Sequence, residues 1–510
     1  MKILKRKTKK SVNPVLTALP QNPLASAMME NSNEAFTENL ALTNKSTLNY
    51  VLDWFGCGGA LRQRASSDAT KIFLKAFAQD ALMATKILFY FRDVRGGQGE
   101  RATFRNIIKY LAVYHPEVVS KNMENIPFYG RYDDLYALEG TPLEKEMFQF
   151  IARQLKQDLR NMKKGEPVSL LGKWLKSENT SSPESCRLAK LTREALELSS
   201  KRYRKVLSSL RKHIDVIERK MCGKEWNEIN FENVPSKASL IYRSAFDRHA
   251  HKKYKEYLKK VEQGSAKINA GAVYPYEIFR SLIRNSVSKE VIKAADLQWA
   301  NMPNWMGENE HRGLVIADVS GSMLSGVPNI LVAVSLALYF AERNVGPFKD
   351  MWLNFSSRPT FQRFVGNNLR EKYLNMDKDN WGGSTNLQAA FNLILNSAVK
   401  NKVKEKDMPE VLYIISDMEF NQACTGNDKT NFRVMKEKYK EAGYKLPRVV
   451  WWNVASQNDN FPIRADDNNT ALVSGCSPSI LKQLLSSKNF TPLGIMQETI
   501  NSPRYDRVVI

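Results

Sequence analysis

Cysteine and histidine are scarce in this 510-residue chain, which has five of each. The cysteines (Cys57, Cys186, Cys222, Cys424 and Cys476) are odd in number, widely spaced and never in a C-x-x-C pair. That excludes a disulfide framework and a cysteine-rich zinc site, and fits a reducing compartment. His249 and His251 lie two residues apart, a spacing that does not put side chains on one helical face. Long apolar runs are missing too. Ile330–Ala341 is too short for the ~20 residues that cross a bilayer, and it contains Ser335. The first ten residues are basic and no apolar stretch follows, so no secretory signal is expected. A cytoplasmic, monomeric protein is the expectation, or a nuclear one if the basic cluster serves as an address.

Acidic residues are the other shortfall. Asp and Glu total 53 against 76 Lys and Arg, a formal net charge of +23. The excess is regional: residues 1–300 hold 52 basic and 32 acidic residues, residues 301–510 only 24 and 21. Such asymmetry is the electrostatic footprint of a polyanion partner, although a basic face that merely keeps a protein soluble produces the same count.

What is present divides the chain three ways. Residues 1–47 start with Lys2, Lys5, Arg6, Lys7, Lys9 and Lys10 and continue rich in Asn, Ser and Thr. They have too few apolar residues to bury a face and are expected to be a disordered arm. Residues 48–300 carry helical periodicity. Ala69–Phe91 and Phe104–Tyr114 read as amphipathic helices flanking an Arg92–Arg101 turn. Leu188–Met221 reads as one long helix, with a seam of Leu196, Tyr203, Leu207, Leu210, Ile214, Ile217 and Met221. Off that seam lie Lys201, Arg202, Arg204, Lys205, Arg211, Lys212, Arg219 and Lys220. Farther on, basic segments interleave with Tyr242, Tyr254, Tyr257, Tyr274 and Tyr276. Cations among aromatics suit single-stranded nucleic acid, whose bases stack while its phosphates pair; core packing is the competing use of such aromatics.

Periodicity breaks between Gln298 and His311, at Pro303 and Gly307, and a domain boundary is expected there. Residues 312–510 then alternate. Strands are expected at Gly313–Val319, Met351–Phe355, Thr360–Phe364, Val411–Ser416 and Arg448–Val454. Helices are expected at Asn329–Asn344, Asn386–Val399, Asn431–Gly443 and Pro478–Leu485. The fold class is therefore an all-α region followed by a doubly wound α/β domain.

The sharpest motif is Asp318-Val-Ser320-Gly-Ser322, directly after a buried strand. In a doubly wound sheet, ligands bind beyond the carboxyl ends of strands. Gly382-Gly383-Ser384-Thr385-Asn386 precedes a helix, and Ser416-Asp417 ends another strand. Asp318, Ser320, Ser322, Thr385 and Asp417 thus offer two carboxylates and three hydroxyls. Hard oxygen donors with little formal charge suit Mg²⁺, which keeps several waters. A helix N-cap loop with no metal is the plain alternative.

Arg92-Asp-Val-Arg95-Gly-Gly-Gln-Gly-Glu-Arg101 lacks the Lys-Ser/Thr ending and the preceding strand of a phosphate loop. Its glycines permit a tight interhelical turn. Its charges, together with Arg131 in the Tyr129–Leu135 segment, are free to pair with one another, with the next helices, or with RNA. No nucleophile elbow, H-E-x-x-H or two-metal carboxylate cluster is legible, so no enzyme is expected. Metal-dependent phosphodiester hydrolysis is the minor alternative.

The D-x-S-x-S run, the GGST threonine and the distal strand-end aspartate resemble the metal-ion-dependent adhesion site of von Willebrand factor A domains. That resemblance implies direct ligation by Ser320, Ser322 and Thr385, with Asp318 and Asp417 direct or through water. It also implies an open position for an acidic group of a protein partner. Placed ahead of such a domain, the Arg92–Arg101 turn and the Tyr129–Leu135 segment resemble the TROVE module of the Ro autoantigen family, a HEAT-like ring of helical repeats. Leu198–Met221 resembles more closely a TROVE-like, otherwise uncharacterised family of the same two-part architecture. The implied assignment is 48–300 as an RNA-binding domain and 312–510 as the von Willebrand A domain. Binding of small structured RNA or single-stranded ends is implied for Arg92, Arg95, Arg101, Arg131, Arg202, Arg204, Lys205, Arg211 and Lys212. The expected function is a non-catalytic ribonucleoprotein scaffold. An assembly adaptor acting through the metal site, with no nucleic acid, is the alternative.

Overall fold

The computed structural model describes residues 33–62, 64–284, 286–308, 310–324, 329–355, 357–379, 381–421 and 430–510. The basic cluster Lys2–Lys10 and Cys424 lie outside the described residues. A helical region is followed by a mixed, mainly parallel sheet with helices. Among the described residues, no helix is long and apolar enough to cross a membrane.

Eight strands are described. β1 (Glu34–Phe36) and β2 (Leu42–Asn44) form an antiparallel hairpin. β3 (Gly313–Asp318), β4 (Met351–Phe355), β5 (Thr360–Arg363), β6 (Val411–Ser416), β7 (Arg448–Asn453) and β8 (Thr470–Ser474) form one sheet in the order β5-β4-β3-β6-β7-β8. Only β5, at one edge, runs antiparallel. β3, β6 and β8 are buried along their whole length, as expected of strands covered by helices on both faces. The chain leaves β3 toward β4 on one side and returns as β6 on the other, so a crevice opens beyond the carboxyl ends of β3 and β6. Register aligns Ala317 with Ile415, which brings Asp318 level with Ser416.

The helices between these strands fall where their apolar patterns place them: Asn329–Arg343, Leu387–Lys400 and Asn431–Glu441. β8 and the helix Pro492–Ile500 are additions that periodicity did not show. The Pro478–Leu485 helix begins as a short 3₁₀ turn at Pro478–Ile480 and continues as Leu481–Ser486.

Two expected helices of the first half are broken. Ala69–Phe91 divides into Ser66–Gln79 and Ala81–Arg92, because Asp80 is extended and its side chain caps the second helix at Met83 N. Leu188–Met221 divides into Pro183–Ala195, Ser200–His213 and Ile217–Cys222. Glu197 (φ 53°) and Asp215 (φ 50°) take left-handed turns, and the Ser199 side chain caps the middle helix at Arg202 N. The seam survives in part, since Tyr203, Leu207, Leu210 and Ile217 are all buried. Tyr254 and Tyr257 belong to a core cluster with Phe231 and Phe246, so they serve packing rather than base stacking.

The expected disordered arm is corrected for residues 33–47. Asn44 and Phe461 exchange two backbone hydrogen bonds, and the Thr43 hydroxyl donates to Phe461 O. The partners are over 400 residues away in sequence, so local composition could not show them. Helix Tyr50–Cys57 lies against β8: the Ser474 hydroxyl donates to Phe55 O and accepts from Gly59 N. The helical region thereby covers an edge that would otherwise expose unpaired backbone groups. One core runs from Trp54 and Phe91 through Val315 and Ile414 to Trp451.

Candidate metal site and cationic cavity

β3 ends in Asp318, fully buried, and the chain turns sharply there: Ser320 N donates to Asp318 Oδ1 at 2.9 Å. The Ser320 and Ser322 hydroxyl oxygens are 3.2 Å apart. The Ser416 hydroxyl, from the end of β6, donates to Asp318 Oδ2 at 2.6 Å. Asp417 follows, buried, with Oδ1 accepting from Glu419 N at 3.1 Å. Two backbone bonds tie the glycine loop to the first motif, Gly321 N to Gly383 O and Gly382 N to Val319 O. Thr385 is held beside them by Asn421, whose side chain accepts from Thr385 N and whose N–H donates to Thr385 O. All five oxygen-bearing residues named from the motifs therefore meet in the crevice between β3 and β6. Sequence reading named Ser416 beside Asp417 without giving it a role, and did not single out Asn421. Their one signal was position, adjacent to Asp417 and four residues after it.

Burial raises the Asp318 carboxyl above the usual carboxylate range, against hydrogen bonds from Ser320 and Ser416 that lower it. Asp417 is raised by burial first and then by the charge of Asp318, while the Ser322 hydroxyl works the other way. Among the described residues, Asp417 Oδ2 is buried without an ordinary hydrogen-bond partner. Two carboxylates that repel each other in a dry crevice, one with an orphaned oxygen, fit a hard divalent cation. A separate triad, Asp247, His251 and Glu290, also brings ligand atoms within 4.8 Å. His251 is exposed and the two acids are half-buried, and the group is already hydrogen-bonded, His251 Nδ1 to Asp247 Oδ1 at 2.8 Å and Ser288 to Asp247 Oδ2 at 2.7 Å.

A cavity of about 1220 Å³ opens in the helical region. Six of the nine cations named above line it: Arg92, Arg95, Arg101, Arg131, Arg204 and Arg211. Arg202, Lys205 and Lys212 are exposed and do not line it. The six are not equivalent. Arg92 is buried and spends Nε and Nη2 on Asp134, at 2.8 and 2.7 Å. Arg211 donates to Gly172 O, Leu175 O and Ser177 Oγ, so it braces the wall rather than offering charge. Arg131 sits 4.1 Å above the Trp174 ring and 3.0 Å from Asp133. Arg95, Arg101 and Arg204 are exposed on the wall. Sequence reading missed Arg62, Lys173, Trp174 and Lys237, which also line the cavity; Arg219, read as an off-seam cation but not among the nine, joins them with Tyr242, Tyr274 and Tyr276.

The Arg92–Arg101 turn forms part of that wall. Gly99 (φ 63°) is where a side chain fails: a Cβ there would lie 1.9 Å from the Tyr274 hydroxyl. Of the turn's charges, Arg92 pairs with Asp134 and Glu100 with Arg62 at 3.6 Å. Asp93 instead finds Arg504, from the far end of the chain. Ser177, Glu178 and Asn179 also line the cavity.

Two family models match this chain. Residues 37–129 and 175–310 match a family described as Domain of unknown function (DUF2828). Residues 312–503 match another, Domain of unknown function (DUF7788). An uncharacterized protein of Acanthamoeba polyphaga mimivirus is 28% identical over an alignment of 507 residues, covering 91% of this chain and 87% of that protein. That alignment runs through both the cavity and the oxygen site. The crystal structure of the Deinococcus radiodurans Ro (RSR) protein covers 89% of this chain and 99% of its own at 11% identity. The TM-score between the two is 0.30.

Proposed function

We propose that this protein is a non-catalytic RNA-binding scaffold with two working parts. The helical half takes single-stranded RNA in its cationic cavity. The α/β half, von Willebrand A-like, holds Mg²⁺ at the crevice between β3 and β6 and through it an acidic residue of a protein partner. The observation that carries the RNA reading is the convergence of Arg95, Arg101, Arg131 and Arg204 on one cavity that also has Trp174, Tyr242 and Tyr276 in its wall. Phosphates pair with the exposed guanidiniums of Arg95, Arg101 and Arg204, while unstacked bases lie on the rings.

The donor set supports the metal reading. Ser320, Ser322 and Thr385 would ligate directly, and Asp318 and Asp417 directly or through water. Bound Mg²⁺ would supply an electrophilic position for an incoming carboxylate. The protein's own part is to bury the two aspartates and to fix their oxygens through Ser320 N, Ser416 and Glu419 N.

The test is a titration of labelled single-stranded RNA against the full chain at several salt concentrations. The log–log slope should be steep, with about −0.7 for each phosphate neutralised. Affinity indifferent to salt, or no binding to RNA with a free single-stranded end, would overturn the RNA reading and leave the assembly adaptor.

A further inference from the structure

The run Ser416–Asn421 does more for the oxygen site than supply one carboxylate. Met418 N donates to the Ser416 hydroxyl at 3.0 Å, and that hydroxyl donates to Asp318 Oδ2. Glu419 N orients Asp417. Asn421 exchanges two bonds with the Thr385 backbone, at 2.9 and 2.8 Å. This run of six residues therefore orients the Asp318 and Asp417 carboxylates and holds the backbone of Thr385. It does so in a conformation that needs holding, because Met418 sits at φ 69°, where a non-glycine residue pays about 1 kcal/mol or more.

What holds it comes from the other end of the chain. The buried Thr37 hydroxyl donates to Phe420 O at 2.5 Å. Asn39 Nδ2 donates to Glu419 O at 2.8 Å, and Glu38 N to Glu419 Oε2 at 2.9 Å. Leu40 makes an antiparallel bridge with Asn421. The Glu419 carboxylate is buried and is fixed on its other oxygen by Asn458 and Asn460, at 3.0 and 2.8 Å. Every residue from Glu419 to Asn421 is thus bonded to the turn between β1 and β2.

We infer that this hairpin turn positions the metal site: Thr37 and Asn39 hold residues 419–421 so that Asp417 and Thr385 are set for the ion. The inference rests on the metal reading above and extends it, because a site in the α/β half is completed by a segment nearly 400 residues upstream. Neither residue touches the ion; both are positioning residues. Partners of this kind, one step removed from the ligands, typically change metal affinity 10- to 100-fold.

The experiment titrates the full chain with Mn²⁺ and follows free Mn²⁺ by electron paramagnetic resonance. Thermal unfolding in chelator is recorded for every variant. Wild type should bind Mn²⁺ and Asp417→Asn should not. Asn39→Ala and Thr37→Val should each weaken binding about 10-fold, and Thr37→Ser should restore it. Unfolding in chelator should stay at the wild-type temperature for Asn39→Ala, whose side chain is exposed, so this variant carries the test if Thr37→Val does not fold. Asn39→Ala binding Mn²⁺ as wild type does, while Asp417→Asn remains deficient, overturns this inference alone. So does a loss of affinity matched by an equal loss of stability in chelator, or a failure of Thr37→Ser to restore binding. A wild-type chain that binds no Mn²⁺ overturns the metal reading and the inference together.

Discussion

Arg504 reaches back from the end of the described chain to the fully buried carboxylate of Asp93, donating Nη2 to Oδ1 at 2.7 Å and Nε to Oδ2. Tyr505 adds its hydroxyl at 3.1 Å, and Asp93 Oδ1 also accepts from Arg95 N. Asp93 in turn receives Gly97 N and Gly99 N on its carbonyl, so this contact shapes the glycine turn of the cavity wall. The β1–β2 hairpin grips the α/β half, and the carboxyl-terminal residues grip the helical half.

Arg504→Ala should destabilise the whole molecule by about 2–3 kcal/mol. It leaves a buried carboxylate with weaker partners, although the partly exposed guanidinium tempers the loss. Chemical denaturation followed by tryptophan fluorescence measures this. A double-mutant cycle with Asp93→Asn should return a coupling above ~1 kcal/mol, and additive effects would refute the link.

The crevice aspartates predict an unusual pH dependence. Both carboxyls bind protons more tightly folded than unfolded, because burial raises both and the charge of Asp318 raises Asp417 further. Their contribution is present at pH values below the ordinary carboxylate range and is lost as pH rises toward neutrality. In chelator, the melting temperature of wild type should therefore fall relative to Asp417→Asn between pH 4 and 8. Each tenfold difference in proton affinity is worth about 1.4 kcal/mol. Saturating Mg²⁺ at pH 8 should recover about 2.7 kcal/mol at 100 times its dissociation constant, and should do little for Asp417→Asn.

Gly475 should tolerate no side chain. Its φ is 110°, and a Cβ would meet Gln98 Oε1 at 2.2 Å. That oxygen accepts from Ser477 N while Gln98 Nε2 donates to the Tyr90 hydroxyl, so the clash reaches both halves. Gly475→Ala should cost about 3 kcal/mol, read by the same denaturation experiment.

Much of the α/β half was legible because its strands are short apolar runs between turn signals, and the oxygen-bearing motifs at the ends of β3 and β6 are local runs of sequence. The helical half was harder. Its apolar seam kept its spacing through the breaks at Glu197 and Asp215, so periodicity alone read Leu188–Met221 as one helix, although Ser199 was an available cap signal. The cavity gathers Arg95, Arg131 and Arg204 from three distant segments, a convergence that only tertiary packing decides. The hairpin was misread for the same reason: Thr37 to Leu40 are ordered by partners almost 400 residues away.

The most direct test of the account is the affinity of single-stranded RNA for the Arg95→Glu/Arg101→Glu/Arg204→Glu variant, compared with Lys205→Glu/Lys212→Glu as an exposed control outside the cavity. The account predicts a loss of at least roughly 100-fold for the cavity variant, with a salt slope shallower by about 0.7 per lost phosphate contact, and a much smaller loss for the control. Equal losses in the two, or RNA bound by the cavity variant as tightly as by wild type, would contradict it.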